Sequence, residues 1–295
     1  YFGNLKGEHS ELIKFASDVG SSNILTRKAA SFAVKTGVNQ MARTFIAGEN
    51  VKEVVKTVSD LRKRNMTVTV DILGEAVLSE KESEYYHGLY MDLISGLSSE
   101  SVKWEDIDQI DSSSYGKLPK ANVSVKLSSL YSQADALDFK NSVEKLKEKL
   151  RPIYKLAKES GAFVYLDMED YYFKDIVLSV FKETLVEEKF KSWGDAGIVI
   201  QAYLKDSEED LIGLIEWAKL RKTPVSIRLV KGAYWHSETI ISKQKGWECP
   251  VFSHKYESDV NYEKLTKILI DNYPYVYPAI ASHNIRSLSC IAVFA

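Results

Sequence analysis

Cysteine is scarce in this sequence, and Cys249 and Cys290 are the only two among 295 residues. Two cysteines provide neither a disulfide framework nor a cysteine-based metal cluster, which favours a reducing compartment such as the cytoplasm. No apolar run approaches the roughly 18 residues that a membrane-spanning helix needs, and the first residues lack a signal-peptide pattern. These absences argue against a secreted disulfide-rich protein and against an integral membrane protein.

An excess of charge of one sign is also missing. The formal net charge is −2, and no basic stretch interleaves with aromatic residues as it would in a nucleic-acid-binding surface. Five histidines are present without H-x-H or H-x-x-x-H spacing, namely His9, His87, His236, His254 and His283. The sequence therefore predicts neither a nucleic-acid partner nor a metal site.

Periodic hydrophobic patterns fill most of the chain. Residues 1–48 show helical patterning without strands and form a predicted N-terminal segment, and residues 49–295 alternate between strand and helix patterns. Asn50-x-x-Glu53 and Ser79-x-x-Glu82 predict two capped helix starts, and the polar stretch 98–121 predicts an insertion loop. Six apolar runs predict strands, namely MTVTVDILGE (66–75), NVSVKLSSL (122–130), AFVYLDMED (162–170), GIVIQAYL (197–204), VSIRLV (225–230) and YPAIASHN (277–284).

Alternating strands and helices imply a parallel sheet covered by helices. The sheet could close into a (β/α)8 barrel or stay open and doubly wound, but no G-x-G-x-x-G follows the first strand. Polar residues decide between these folds, because they lie at or near the C-terminal end of every strand and would converge on one barrel mouth. We therefore predict an α/β fold, a (β/α)8 TIM-type barrel of which this chain shows six β/α units. The polar residues are Asp71, Glu75, Lys126, Asp167, Glu169, Asp170, Gln201, Arg228, Lys231, His283 and Asn284.

These polar residues have structural as well as functional interpretations. Asp170 and Asn284 could be N-caps of the following helices. Lys126 and Arg228 lie within strands, where burial without a partner is costly, so each belongs to a structural ion pair or to a site. Arg228 and Lys231 suit an anionic group such as a carboxylate, a phosphate or a reduced flavin. A Schiff-base aldolase using Lys126 or Lys231 is an alternative, and a non-catalytic barrel that scaffolds a partner is another.

Six segments occur in the order VTVDILGEA, VSVKLSSL, YLDMED, VIQAYL, IRLVKGAYW and ASHN. This set resembles the flavin-dependent proline dehydrogenases, in particular the proline dehydrogenase domain of bifunctional proline utilization proteins, from about residue 40 onward. The resemblance implies a barrel that holds FAD and oxidises L-proline to Δ1-pyrroline-5-carboxylate, the first step of proline catabolism, by hydride transfer to flavin N5. It also implies a membrane quinone as electron acceptor, a peripheral position at the inner membrane, and an aldehyde dehydrogenase domain later in the parent chain.

The resemblance also assigns roles to individual residues. It places Asp167 and Arg228 in the catalytic centre, Lys126 against the proline carboxylate, and Tyr234 near the substrate. It implies flavin contacts from Met168, Gln201, Arg228, Lys231, Gly232, Ala233, Trp235, Ser282 and His283.

One family feature is missing. The family continues past its sixth strand with two more strands and a last helix bearing Arg-Arg-x-x-Glu-Asn, whose arginines hold the substrate carboxylate. This sequence contains no Arg-Arg pair. We therefore expect it to be a piece of a longer protein, with weak or no substrate binding by the piece alone.

Overall fold

The computed structural model of the protein describes residues 31, 34–38, 41–42, 45–74, 76–114 and 116–294. The chain divides into two compact units, Tyr1–Arg64 and Asn65–Ala295. Most of the predicted N-terminal segment 1–48 lies outside the described residues, so the boundary between residues 48 and 49 stays a prediction.

The described part of the second unit is built on a parallel sheet of six strands, with helices flanking it. The strands are β1 (Val70–Asp71), β2 (Ala121–Val125), β3 (Ala162–Leu166), β4 (Ala196–Gln201), β5 (Val225–Val230) and β6 (Val276–Ile280). The helices are α1 (Val51–Arg62) in the first unit and, in the second, α2 (Glu80–Ser101), α3 (Phe139–Ser160), α4 (Lys174–Leu185), α5 (Ser207–Arg221), α6 (Trp235–Lys245), α7 (Lys255–Asp271) and α8 (Ile285–Phe294).

The order of the strands distinguishes the two candidate folds. Each strand from β1 to β6 pairs in parallel with the next one along the chain. A doubly wound sheet reverses its strand order at a switch point, whereas barrel strands follow one another around the sheet. The predicted α/β class with barrel-type winding is thus confirmed, and closure by two further strands stays a prediction.

The hydrophobic core lies between the sheet and the helices. Ile227 and Leu229 on β5 are fully buried, and so are Leu146 and Leu150 on the apolar face of α3. Alternation along a strand sends successive side chains to opposite faces, so one face of β5 packs in this core. The other face remains available for polar residues.

Both predicted helix caps are confirmed. The Asn50 side chain accepts a hydrogen bond from the Glu53 backbone N–H at 3.1 Å, and α1 starts there. Ser79 Oγ accepts from the Glu82 backbone N–H at 3.3 Å, and α2 starts there. Each cap satisfies one of the backbone donors that a helix start leaves unpaired.

Four predicted strands end earlier than expected, since 122–130 is a strand only to Val125, 162–170 only to Leu166, 197–204 only to Gln201 and 277–284 only to Ile280. Lys126 therefore lies just after β2 rather than within a strand.

The secondary structure differs from the sequence prediction in three further places. The strand predicted over 66–75 is only Val70–Asp71, because these two residues alone pair with β2. The stretch 98–121 contains the end of α2, a short helix at Asp108–Asp111 and a hairpin, Ser112–Ser113 with Gly116–Lys117, rather than only a loop. Helix α6 was not predicted, because the residues it buries are polar, Glu238 and Ser242.

We expect Leu150→Ala to destabilise the second unit by about 3 kcal/mol, because it removes a fully buried side chain and leaves a cavity. Leu220→Ala is the matched control, since Leu220 is also helical but 83% exposed, and should change stability by less than about 0.5 kcal/mol. Urea unfolding of both variants measures the difference. Equal effects would mean that α3 does not pack against the core as described.

Candidate active site

A cavity of about 780 Å³ opens at the C-terminal ends of the strands. Every strand of the parallel sheet, or the loop that follows it, contributes to the lining. The lining residues are Asp71, Leu73, Gly74, Lys126, Asp167, Met168, Val199, Gln201, Arg228, Val230, Lys231, Gly232, Ala233, Tyr234, Lys255, Ala281, Ser282, His283 and Asn284. The cavity thus lies where enzymes with parallel barrels place their active sites.

Arg228 and Asp167 form an ion pair in this cavity. Nη2 of Arg228 donates to Oδ1 of Asp167 and, at 2.8 Å, to Oγ of Ser124. The Ser124 hydroxyl in turn donates to Oδ1 of Asp167 at 2.6 Å. Both charged side chains are 19% exposed, so the pair is largely removed from water and fixes the direction of the guanidinium.

Lys126 extends the charge network toward β1. Its Nζ donates to Oδ2 of Asp71 at 2.5 Å and lies 3.7 Å from Oδ2 of Asp167. Partial removal from solvent raises the pKa of Asp71, while the hydrogen bond and charge of Lys126 oppose that shift. Two cations and two carboxylates therefore lie together at one edge of the cavity.

Strand alternation explains why these charges lie on one side. Ser124 and Lys126 are two residues apart on and just after β2, and Arg228 and Val230 are two apart on β5. Residues two apart share a face. Ile227 belongs to the opposite face of β5 and is fully buried in the core.

The turn after β5 brings backbone to the cavity wall. Gly232 has a φ of +129°, and a Cβ there would lie 2.4 Å from the Tyr203 ring. Both the backbone conformation and the space therefore require glycine. Lys231 is held beside it, because its ammonium donates to Asp259 on α7 and, at 3.3 Å, to Ser287 on α8.

Gln201 has an unpaired acceptor at the cavity wall. Its Nε2 donates to the backbone carbonyls of Glu169 at 3.2 Å and Met168 at 3.4 Å. Its Oε1 is buried and has no hydrogen-bond partner among the described residues, and the same holds for Nε of Arg228. Such atoms are costly to bury unpaired, so a ligand with a complementary donor and acceptor would stabilise the site.

The structure brings most of the predicted site residues to the cavity. Those lining it are Lys126, Asp167, Met168, Gln201, Arg228, Lys231, Gly232, Ala233, Tyr234, Ser282 and His283. Trp235 does not line it, since its indole packs against Tyr203, Leu204 and Val251 and its Nε1 donates to the Phe252 carbonyl at 2.8 Å.

The helix-cap interpretation is confirmed for two residues. The Asp170 side chain accepts from the Phe173 backbone N–H at 3.0 Å, and Asp170 does not line the cavity. Asn284 accepts from the Ser287 backbone N–H at 3.2 Å and also lines the cavity. Glu75 lies outside the described residues.

Sequence reasoning missed four residues that shape the site. Ser124 could have been found, because it precedes Lys126 by two residues and therefore shares its face. Tyr165 lies under Arg228, with its ring centroid 4.6 Å from the guanidinium carbon. Asp259 accepts from Lys231 through Oδ1 and from Lys255 through Oδ2, the latter at 2.7 Å. The helical pattern of α7 distinguishes neither Lys255 nor Asp259 from other polar residues.

The described residues contain no group of three or more His, Cys, Asp or Glu side chains arranged to hold a metal ion. None of the described helices combines the length and the apolar character that a membrane span requires.

Comparisons with known proteins agree on one family. The family model described as proline dehydrogenase matches residues 54–295. Bifunctional protein PutA of Escherichia coli (strain K12) is 28% identical over 296 residues, which cover 99% of this chain and 21% of that protein. Proline dehydrogenase 1 of Bacillus subtilis subsp. natto is 29% identical over 266 residues, or 90% of this chain and 71% of that protein.

A solved structure gives the same result. Proline utilization A (PutA) from Bdellovibrio bacteriovorus is 44% identical, with a TM-score of 0.89 over 97% of this chain and 31% of that protein. The present chain thus spans well under half the length of both PutA proteins. Because the family model covers most of its residues, including the whole cavity lining, the chain belongs to the proline dehydrogenase family.

Proposed function

We propose that this chain is the FAD-dependent proline dehydrogenase region of a longer protein, and that the longer protein oxidises L-proline to Δ1-pyrroline-5-carboxylate. The observation that carries the proposal is the charge network of Lys126, Asp167 and Arg228 inside the cavity. Family membership supports the reaction class, and the network provides cations for an anionic substrate and an anionic reduced cofactor.

The residues at the cavity fit a flavin. An isoalloxazine ring presents carbonyl oxygens and a ring N–H along one edge, which complement the unpaired Nε of Arg228 and Oε1 of Gln201. Gly232 and Ala233 are exposed and line the cavity, so a planar ring can approach their backbone. The residues that would hold FAD are Met168, Gln201, Arg228, Lys231, Gly232, Ala233, Ser282 and His283.

Each charged side chain has a separate task. The chemistry that FAD supplies when bound is acceptance of a hydride at N5 and onward transfer of the electrons to a quinone. Arg228 stabilises negative charge that develops beside it, because its guanidinium is already oriented by Asp167 and Ser124. Lys126 fixes the substrate carboxylate and so holds the reacting carbon in place.

Asp167 is assigned an orienting role rather than that of a base. Its Oδ1 already accepts hydrogen bonds from Ser124 and Arg228, and its Oδ2 faces Lys126 at 3.7 Å. The substrate amine must lose a proton before the hydride leaves. We propose that solvent takes that proton and that Asp167 balances the two cations.

The electron acceptor, the cellular position and the second domain of the parent chain follow from the same reasoning. We propose a membrane quinone as electron acceptor, a peripheral position at the cytoplasmic side of the inner membrane, and an aldehyde dehydrogenase domain in the parent chain. The family resemblance supports the first two. The family resemblance also supports the third, and the word bifunctional in the name of the Escherichia coli relative supports a second activity in the parent chain without naming it.

Arg228→Met in the natural full-length protein should slow flavin reduction by proline on the order of 100-fold, because an oriented charge is lost. Stability should fall by no more than about 2 kcal/mol, because Asp167 keeps Ser124 and Lys126 as neighbours. Stopped-flow absorbance and urea unfolding measure the two quantities. Arg151→Met, which removes an ion pair with Glu187 outside the cavity, is the control and should leave the rate unchanged. Loss of folding in proportion to activity would make Arg228 a structural residue.

Lys126→Met should raise the KM for proline about 10- to 100-fold with FAD content retained, since one charged hydrogen bond to the carboxylate is lost. Steady-state kinetics and flavin absorbance measure this. Lys120→Met is the control, because Lys120 pairs with Asp106 away from the cavity.

The same lysines separate the proposal from a Schiff-base aldolase. A Schiff base needs a neutral amine, whereas Lys126 lies between two carboxylates and Lys231 donates to Asp259. Borohydride in the presence of aldehydes or ketones should therefore trap no adduct on either lysine. A trapped adduct detected by mass spectrometry would favour the aldolase.

A further inference from the structure

The ring of Tyr165 crosses the sheet beneath the cavity. Tyr165 on β3 pairs in register with Gly197 on β4, which pairs with Ser226 on β5. A Cβ on Gly197 would lie 2.3 Å from Cε1 of Tyr165 and 2.9 Å from the Ser226 carbonyl oxygen. Gly197 has no positive φ, so space alone requires glycine there. The missing side chain is what lets the ring lie across β4.

The far end of the ring is fixed on β5. The phenolic oxygen of Tyr165 lies 2.7 Å from Oγ of Ser226. The Ser226 hydroxyl donates to the Tyr277 backbone carbonyl on β6 at 2.9 Å, so the phenol donates to Ser226. Tyr165 is 6% exposed, and this chain of hydrogen bonds fixes its ring relative to β5 and β6.

Arg228 rests on that ring. It follows Ser226 by two residues on the same face of β5, and its guanidinium carbon is 4.6 Å from the ring centroid. The ring face is electron-rich and attracts a cation, most strongly away from water. Asp167 and Ser124 both contact Nη2, so they fix only one end of the guanidinium. The guanidinium could still rotate about that end, and the Tyr165 ring restrains this rotation.

We infer that Tyr165 is a positioning residue that keeps the Arg228 guanidinium aimed into the cavity, and that Gly197 is required because it makes room for this ring. The inference rests on the proposed function only for its flavin readouts. A mere packing role for Tyr165 would predict that its loss affects stability alone. A positioning role predicts that loss of Tyr165 also weakens the effect of the Arg228 charge on the potential and the reduction rate of the flavin.

Tyr165→Leu in the natural full-length protein should shift the flavin midpoint potential to a more negative value, because a less well aimed cation stabilises the reduced ring less. The rate of flavin reduction at saturating proline should fall on the order of tenfold, as expected for loss of a desolvated cation–π contact. Dye equilibration gives the potential, stopped-flow absorbance gives the rate, and calorimetry gives the melting temperature.

Two variants separate positioning from packing. Tyr165→Phe keeps the ring under Arg228 and should restore the potential and most of the rate. Phe181→Leu removes a fully buried aromatic side chain on α4 outside the cavity, and it should lower the melting temperature without moving the potential. Tyr165→Leu behaving like Phe181→Leu in all three readouts would overturn the inference.

A crystal structure of Tyr165→Leu tests the inference without a cofactor. The guanidinium should leave its place beside Asp167 or lose a single defined position, and Gly197→Ala should have the same effect because it displaces the ring. A guanidinium that stays in place in both variants contradicts the inference. A wild-type protein that binds no FAD would contradict the proposed function instead, and the crystal structures would still decide the role of Tyr165.

Discussion

Lys126 and Arg228 bring two positive charges to the carboxyl ends of the strands, where Asp71 and Asp167 balance them. Removing one member of this partly buried charge network leaves its neighbours less well compensated, which lowers stability. The four side chains therefore constrain one another. Asp71 and Arg228 lie on β1 and β5, and Lys126 and Asp167 directly follow β2 and β3. Only a sheet whose strands follow one another in parallel brings these four ends together.

The strands can carry such charges because their two faces have different surroundings. On β5 the outward residues Ile227 and Leu229 are fully buried against the helices. The inward residue Arg228 finds a carboxylate, a hydroxyl and an aromatic ring instead of apolar neighbours. Apolar burial thus stabilises the same strand that holds a cation in the site, and the hydrophobic pattern is maintained on one face only.

Much of the site could be predicted from the residues. The helix caps at Asn50 and Ser79 depend on contacts three residues away, and such local patterns are visible in sequence. Arg228 within an apolar run was recognisable as a buried cation that needed a partner. The identity of the partners was harder, because Ser124 and Asp167 lie 104 and 61 residues away in the chain. Helix α6 gave no apolar stripe to detect, since it buries Glu238 and Ser242.

Sequence by itself determined the alternation of strands and helices, the placement of polar groups at strand ends, and the family to which these motifs belong. Those features are local, because periodicity and motif spacing are properties of neighbouring residues. Tertiary structure decided which groups meet. Asp167 pairs with Arg228, whereas Asp170 caps a helix. The Tyr165 ring occupies the space that a side chain at position 197 would need. These pairings depend on how strands far apart in sequence align in register, and no single segment carries that information.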